Sequence, residues 1–408
     1  MARKKGGKKP PQQSLAIRLA KAVSFLLISL TFIYLVFSYS NIPVIRTLRH
    51  MAIETSMSTM RHQWVARAIF PDKVVDNVMK SVYLAREGQI GVNTKWNDPI
   101  ELVKKEYNDS RKEFFETFWE LDEGSFDAYL PKRPGIMRFG WENFYLNEAG
   151  LDDNGTDIKT IYGDQVLAID AKNKVLLIRV TGTAYRGVLA IAKDPSRLSI
   201  QTSAEIGING QLAGEIAEAH NGILAINASG FLDVDTEGNV GQGNGGIIGG
   251  LARCSGVTYG SPFGLGHKRI ELREDNRMYI VDSLDPIAED CTDAAEFSPA
   301  LIVDGEVLVD EDTGWNSVNP RSCVGQNDRG EIMFLAIEGR QLSSLGIGVA
   351  GCAKIMKRYH CTQAMNLDGG TSSILWFDGE CVTRCSNSDY PEGRPLPNAF
   401  VYSRAEET

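Results

Sequence analysis

Asn366-Leu-Asp-Gly-Gly-Thr-Ser-Ser373 sits between apolar Ala364-Met365 and apolar Ile374-Leu-Trp-Phe377. The flanks read as strands, closed downstream by the turn pair Asp378-Gly379. Eight residues thus hold one carboxylate, two adjacent glycines and three hydroxyls. A carboxylate at a strand end, followed by glycines that let the backbone approach a ligand, suits holding a polar substrate beside an acid or base. A tight turn in which Asp368 caps its own backbone fits the same residues, so the surrounding chain must decide.

Working outward, helix and strand periods alternate. Leu345, Val349, Ala353, Met356 and Tyr359 mark a helix leading back to the strand before Asp368, and Ile332–Ile337 is an apolar strand ending in Glu338-Gly339-Arg340. Two hairpins are legible: Val166–Asp170 with Lys174–Val180, and Ala300–Val303 with Val307–Val309 across Asp304-Gly305. Gly187–Ala192 and Ile223–Ile226 are further strands, and Leu212–His220 carries one apolar helical face. This mixture predicts an α+β domain on a mixed, largely antiparallel sheet with packed helices, spanning residues 151–408.

The N-terminus is different in kind. Residues 1–21 carry seven basic side chains and no acidic one, and Ala22–Tyr39 is free of charge. Eighteen uncharged residues are about enough to cross a bilayer, so 1–21 reads as a cytoplasmic tail and 22–40 as an uncleaved single-pass anchor with the rest of the chain extracellular. A cleaved signal peptide is the competing reading, although no Ala-x-Ala follows. Residues 41–150 read as a helical stalk or linker: a periodic stretch broken at Pro71, then a charged helix opened by Asp98-Pro99. The whole chain has 43 basic and 52 acidic residues; without the tail it is 36 against 52, a net of −16. Such an exterior has no general electrostatic grip on nucleic acid, so an anionic substrate needs a local arginine. All seven cysteines lie between 254 and 385, which is compatible either with disulfides or with small reduced core residues.

Four polar clusters each sit where an apolar run ends: Asn227-Ala-Ser-Gly-Phe231, Pro320-Arg-Ser-Cys-Val-Gly325, Glu338-Gly-Arg340 and the Asp368 loop. Strand ends on one sheet edge can assemble a site from distant sequence. Each has a plain structural alternative: Arg321 paired with Asp304 or Asp310, Arg340 paired with Glu338, Asn227 capping a turn. Gly241-Gln-Gly-Asn-Gly-Gly246 matches a dinucleotide fingerprint literally but follows turns rather than a strand, and reads as a loop near the site. The histidines offer no H-x-x-x-H pair for zinc, and no G-x-S-x-G is present. No cofactor is expected, and a metal-ligand set remains unknown.

Taken in order, Leu189–Pro195, Ala225-Ile-Asn227 with Gly230-Phe231, Pro320-Arg321, Glu338-Gly-Arg340-Gln341, Asn366–Gly370 with Ser372-Ser373, and Pro397-Asn-Ala399 resemble the phosphodiester glycosidase family over roughly 185–403. The chain departs from that pattern in having Ala228-Ser229 where glycines are usual and Glu338 where Asp is frequent. The resemblance implies hydrolysis between a sugar's anomeric carbon and a phosphodiester. For such a reaction Asp368 is the expected catalytic carboxylate, Arg321 the phosphate clamp and Glu338 the second acid or base, with Asn227, Phe231, Arg340, Asn366, Gly369, Gly370, Thr371, Ser372 and Ser373 expected to bind substrate. The expected partners are a phosphorylated saccharide or glycopolymer of the envelope and the membrane itself, with no nucleic acid. A glycan-binding or exopolysaccharide-assembly protein that kept the fold without turnover is the alternative.

Overall fold

The computed structural model describes residues 15–96, 109–151, 155–235, 237–310 and 314–406. Most of the basic tail, and the Asp98-Pro99 helix start, fall outside them. Eight helices are described: α1 (Leu15–Tyr39), α2 (Pro43–Met57), α3 (Gln63–Ile69), α4 (Asp72–Glu87), α5 (Ser110–Thr117), α6 (Glu123–Tyr129), α7 (Ala213–Ala219) and α8 (Val349–Arg358).

One large antiparallel sheet organises the chain. Its nine strands run in the order Tyr145–Asn147, Gln165–Asp170, Val175–Thr181, Arg186–Ala192, Ile332–Ile337, Arg321–Asn327, Cys361–Asn366, Ala300–Val303 and Glu306–Val307. Both predicted hairpins are present as antiparallel pairs. The central strands read as unbroken apolar runs because both faces are covered, and period-2 alternation divides their side chains. Val188, Ala190, Phe334 and Ala336 face a core shared with two five-stranded sheets, through Ile226, Leu375, Phe400, Ile270 and Met278. Leu189, Ile191, Met333 and Leu335 face the other way, onto α5, α6 and α8 through Phe114, Phe118, Phe126, Cys352 and Met356. Mixed helices and antiparallel sheets were the expectation, and the fold has them.

The segment 41–150 corrects the stalk reading. Phe114 packs against Phe118, Phe126 and Phe144 at centroid distances of 5.0–5.5 Å, and Tyr145–Asn147 pairs with Gln165–Asp170. Aromatic burial therefore makes residues 110–150 part of the body, and no boundary falls at 150/151. Residues 89–96 are stitched in as a strap: Gln89 exchanges hydrogen bonds with Ala300 in both directions, the Gly91 N–H donates to Asp282, and the Lys95 N–H donates to Asp304. The helical stretch from 41 to 82 is three helices with a small core of Ile53, Ala66, Phe70, Val75 and Val78. The apolar positions Leu48, Trp64 and Ile69 are instead exposed.

Helix α1 includes an apolar span, Ile17–Tyr39, long enough to cross a membrane and with none of its window buried in the protein. All seven cysteines are free thiols, six of them buried. The reduced-core alternative describes them.

Candidate functional site

The Asp368 loop is a crossing between sheets, not a hairpin turn. The strand Cys361–Asn366 belongs to the nine-stranded sheet, whereas Leu375–Phe377 pairs with Gly222–Asn227 in a five-stranded one. Residues 367–374 bridge the two, held by Leu367 N–H to the Ser322 carbonyl (2.8 Å) and Gly370 N–H to the Pro320 carbonyl (3.2 Å). Glycine is required here. A β-carbon on Gly369 would stand 2.8 Å from the Pro320 carbonyl, and Gly370 has φ +64° with the Arg340 guanidinium 3.2 Å from where its β-carbon would be.

Three strand ends converge on this loop. Asn227 closes the strand Gly222–Asn227, and its Nδ2 donates to the Asp368 carbonyl at 2.8 Å. Asn366 closes its own strand, with Nδ2 donating to the Ser298 carbonyl (2.9 Å) and the Leu367 carbonyl (3.0 Å). Arg321 opens the strand Arg321–Asn327 next to Pro320. The Oδ1 atoms of Asn227 and Asn366 and the Ser373 hydroxyl are buried without a hydrogen-bond partner. Such orphans cost roughly 1–3 kcal/mol each in a closed protein. Carried by the residues that flank the Asp368 loop or hydrogen-bond to it, they suit a polar ligand that supplies the missing bonds.

Asp368 is half-buried, and its carboxyl is pushed up to about 6 by desolvation, eased by the Ser372 hydroxyl, the Arg394 charge and the Gly369 N–H, and reinforced by Asp233. Arg340, at φ +59°, reaches solvent and donates from Nη2 to Asn319 Oδ1 at 3.1 Å. Burial and then the neighbouring Arg321 charge lower its pKa, and Asp368 opposes them. Arg340 therefore lies within the electrostatic reach of both Arg321 and Asp368. Arg321 itself donates to the Ser317 carbonyl and hydroxyl, both at 2.8 Å, and to the Ile347 carbonyl at 3.3 Å. It is not paired with Asp304, which accepts from Lys95 and Gln363; nor does Arg340 form the surface pair with Glu338. The Glu338 side chain is buried, and its Oε1 accepts the Arg384 N–H at 3.1 Å. Thr371 is half-buried, and its carbonyl accepts the Cys385 thiol.

Two residues that sequence reasoning passed over enter here. Arg394 forms a two-pronged pair with Asp233 (2.8 and 3.2 Å), donates to the Gly243 carbonyl (2.8 Å), and lies 4.3 Å above the Phe231 ring. The glycine-rich 241–246 stretch wraps this pair, with the Gly243 N–H donating to Asp233 at 2.9 Å. The available signal was an arginine in a Gly/Pro-rich loop just before Pro397-Asn398-Ala399. Among the described residues, no group of three or more His, Cys, Asp or Glu side chains could hold a metal ion. A cavity of about 280 Å³ lined by Pro195, Leu198, Leu272, Met278 and Ile332 among others shares no residue with this cluster.

Residues 220–403 match the family model described as phosphodiester glycosidase. An uncharacterised SPbeta prophage-derived protein of Bacillus subtilis, YomE, is 26% identical over 198 residues, which is 46% of this chain and 29% of that protein. The chain thus spans less than a third of that curated relative. Among solved structures, the zebrafish N-acetylglucosamine-1-phosphodiester alpha-N-acetylglucosaminidase catalytic domain, auto-inhibited by its pro-peptide, aligns with TM-score 0.46 and 15% identity, covering 76% of this chain and 100% of that one. A putative exported protein of Burkholderia pseudomallei aligns with TM-score 0.40 and 14% identity, covering 54% of this chain and 74% of that one.

Proposed function

We propose, taking residues 220–403 as a phosphodiester glycosidase domain, that this chain hydrolyses the bond between the anomeric carbon of a sugar and a phosphodiester oxygen, on a substrate of the cell envelope outside the cytoplasm. The observation that carries the reading is the grouping of an elevated carboxyl, an exposed arginine and three orphaned buried polar atoms at one sheet-to-sheet crossing.

In this reading water adds its oxygen to the anomeric carbon, the carbon–oxygen bond breaks, and the oxygen leaves with the phosphate. The phosphate is a good leaving group, so the main demand is charge stabilisation on both sides of the breaking bond. Asp368, ionised above about pH 6, supports the electron-poor sugar carbon as nucleophile or counter-charge. Arg340 takes the phosphate oxygens, and Arg321 adds positive potential, a reading supported by the electrostatic reach among Arg340, Arg321 and Asp368. Asn227 and Asn366 offer acceptors to sugar hydroxyls, and Ser372 fixes the Asp368 carboxylate. Phe231 with Arg394 forms one wall. Glu338 acts through the Arg384 turn that it holds. Helix α1 anchors the chain in the membrane.

The test is release of reducing sugar from a panel of defined sugar 1-phosphodiesters by the purified full chain. At least one member is expected to be cleaved. Binding without release across the panel would leave a glycan-binding protein instead. Within the same assay, Gly370→Ala is expected to lower kcat/KM by about threefold or more, because its β-carbon presses on the Arg340 guanidinium, which must give by a few tenths of an ångström. The strained backbone costs on the order of 1 kcal/mol in stability, small enough for the fold to survive. A variant with unchanged kcat/KM would remove Arg340 from the phosphate role.

A further inference from the structure

The membrane-length helix is joined to the next helix by a short link. Only Ser40, Asn41 and Ile42 separate α1 from α2. The Arg49 guanidinium reaches back from α2 to donate to the Phe37 carbonyl (3.2 Å) and the Ser40 carbonyl (2.9 Å), satisfying the otherwise open C-terminal end of α1. Phe37 also packs on Phe70 at 5.7 Å. The end of α1 is therefore fixed to the α2–α4 unit, not hinged from it.

Around that junction the unit exposes large apolar side chains: Ile42, Val44 and Leu48 on the first turns of α2 and its approach, and Trp64 and Ile69 on α3, with Val44 69% and Trp64 66% exposed. Basic Arg46 and Arg61 are exposed beside them. Tryptophan and aliphatic side chains mixed with cations are what the headgroup layer of a bilayer accommodates, and Ile42 and Val44 follow within five residues of the end of the span that the bilayer would hold.

The same unit is bolted to the candidate site. Glu54 accepts the Asn316 N–H, Thr55 accepts the Val318 N–H (3.0 Å), Ser58 accepts from Asn319 Nδ2 (3.0 Å), and Arg61 donates to the Gly241 carbonyl (2.9 Å). Asn319 in turn receives Arg340, and Gly241 belongs to the stretch around Arg394. From Pro43 to Ser58 the chain rises about 22 Å as a helix, less than the thickness of a bilayer core.

We propose that α2–α4 seat the site against the bilayer that holds α1, so that the substrate it takes is a sugar phosphodiester carried by a membrane lipid rather than a free polymer. The substrate part rests on the hydrolase reading above; the seating does not. Confinement of enzyme and substrate to one surface raises their effective concentration without any new contact.

The experiment uses the full chain in vesicles of phosphatidylethanolamine and phosphatidylglycerol. Two compounds are compared at the same bulk concentration: a polyprenyl phosphosugar, whose phosphodiester joins C1 to a prenyl chain, and the methyl ester of the same sugar 1-phosphate. Wild type is expected to favour the lipid-linked compound by about tenfold or more in kcat/KM, and a flexible Gly/Ser insert of about 20 residues after Ser40 to erase most of that preference while leaving the soluble compound unaffected. Equal rates on the two compounds, or an insert without effect, overturn the inference. A separate readout is quenching of Trp64 by headgroup-nitroxide lipid, taken as the difference from Trp64→Phe. Quenching with neither compound cleaved removes the hydrolase and keeps the seating; an unquenched Trp64 overturns the seating whatever the rates.

Discussion

Asp368→Asn is expected to abolish turnover, by about a thousandfold or more, and at the same time to make the protein more stable at pH 8. The two effects share one cause. Desolvation at the sheet crossing lifts the carboxyl to about 6, against about 3.9 for an unfolded aspartate. With the folded pKa above the unfolded one, the group favours folding below pH 4, and that contribution is lost as pH rises through 6. At pH 8 the folded protein holds an ionised carboxylate in a poor setting, and an amide relieves it. Because the side chain is only half-buried, the relief is on the order of 1–2 kcal/mol after solvent screening. Thermal melts at pH 4 and pH 8 check this: the Asn variant should gain at pH 8 and gain nothing at pH 4. On the proposed mechanism, which uses the ionised form, the same pKa predicts that wild-type turnover rises with pH through about 6. An Asn variant within tenfold of wild type, or one less stable at pH 8, would take Asp368 out of the mechanism.

Local costs of the same kind recur elsewhere in the candidate site. Asn227, Asn366 and Ser373 leave buried atoms unbonded, and Arg340 holds a positive φ that glycine would adopt freely. These are also the places where local sequence rules give the least guidance. The strands on either side of Asp368 were legible because apolar runs bounded by turn pairs need no tertiary information. That the two strands lie in different sheets was not, since register and partner are set by packing that a single sequence does not display. Arg321 illustrates the same limit. Its position beside Pro320 is plain from the sequence, but its engagement with Ser317 and Ile347, leaving Arg340 as the arginine nearer the Asp368 loop, depends on how the 316–319 loop is held by α2. The stalk reading of 41–150 failed for a related reason. Helical period identifies an apolar face but not its partner, and the aromatic-rich α5 and α6 found theirs on the large sheet.

That docking brings in the second large effect, at Lys193. Its ammonium lies between Glu120 (2.5 Å) and Glu331 (3.2 Å), and all three side chains are at most 6% exposed. Glu120 follows α5 and Glu331 opens the strand Ile332–Ile337, so the lysine clamps the 110–150 segment to the sheet. Glu331 also accepts from Trp119 Nε1 and Asn327 Nδ2, and the Lys193 charge lies 5.8 Å from the Phe118 ring centroid. Burial, eased by Lys193 and reinforced by Glu331, pushes Glu120 up to about 7. Lys193→Met removes the only cation in the trio and leaves two carboxylates facing each other in the core. The expected loss is about 3–5 kcal/mol at pH 8. It should shrink towards pH 5, because the Glu120 carboxyl, with its raised folded pKa, contributes stability when protonated and loses it as pH climbs. Adding Glu120→Gln to Lys193→Met should recover more than half of the loss, since Glu331 keeps its Trp119 and Asn327 donors while the repulsion is gone. Thermal unfolding of the three proteins at pH 5 and pH 8 decides the matter. A lysine variant as stable as wild type at pH 8, or a double variant no better than the single one, would mean that aromatic packing alone fastens this segment to the sheet.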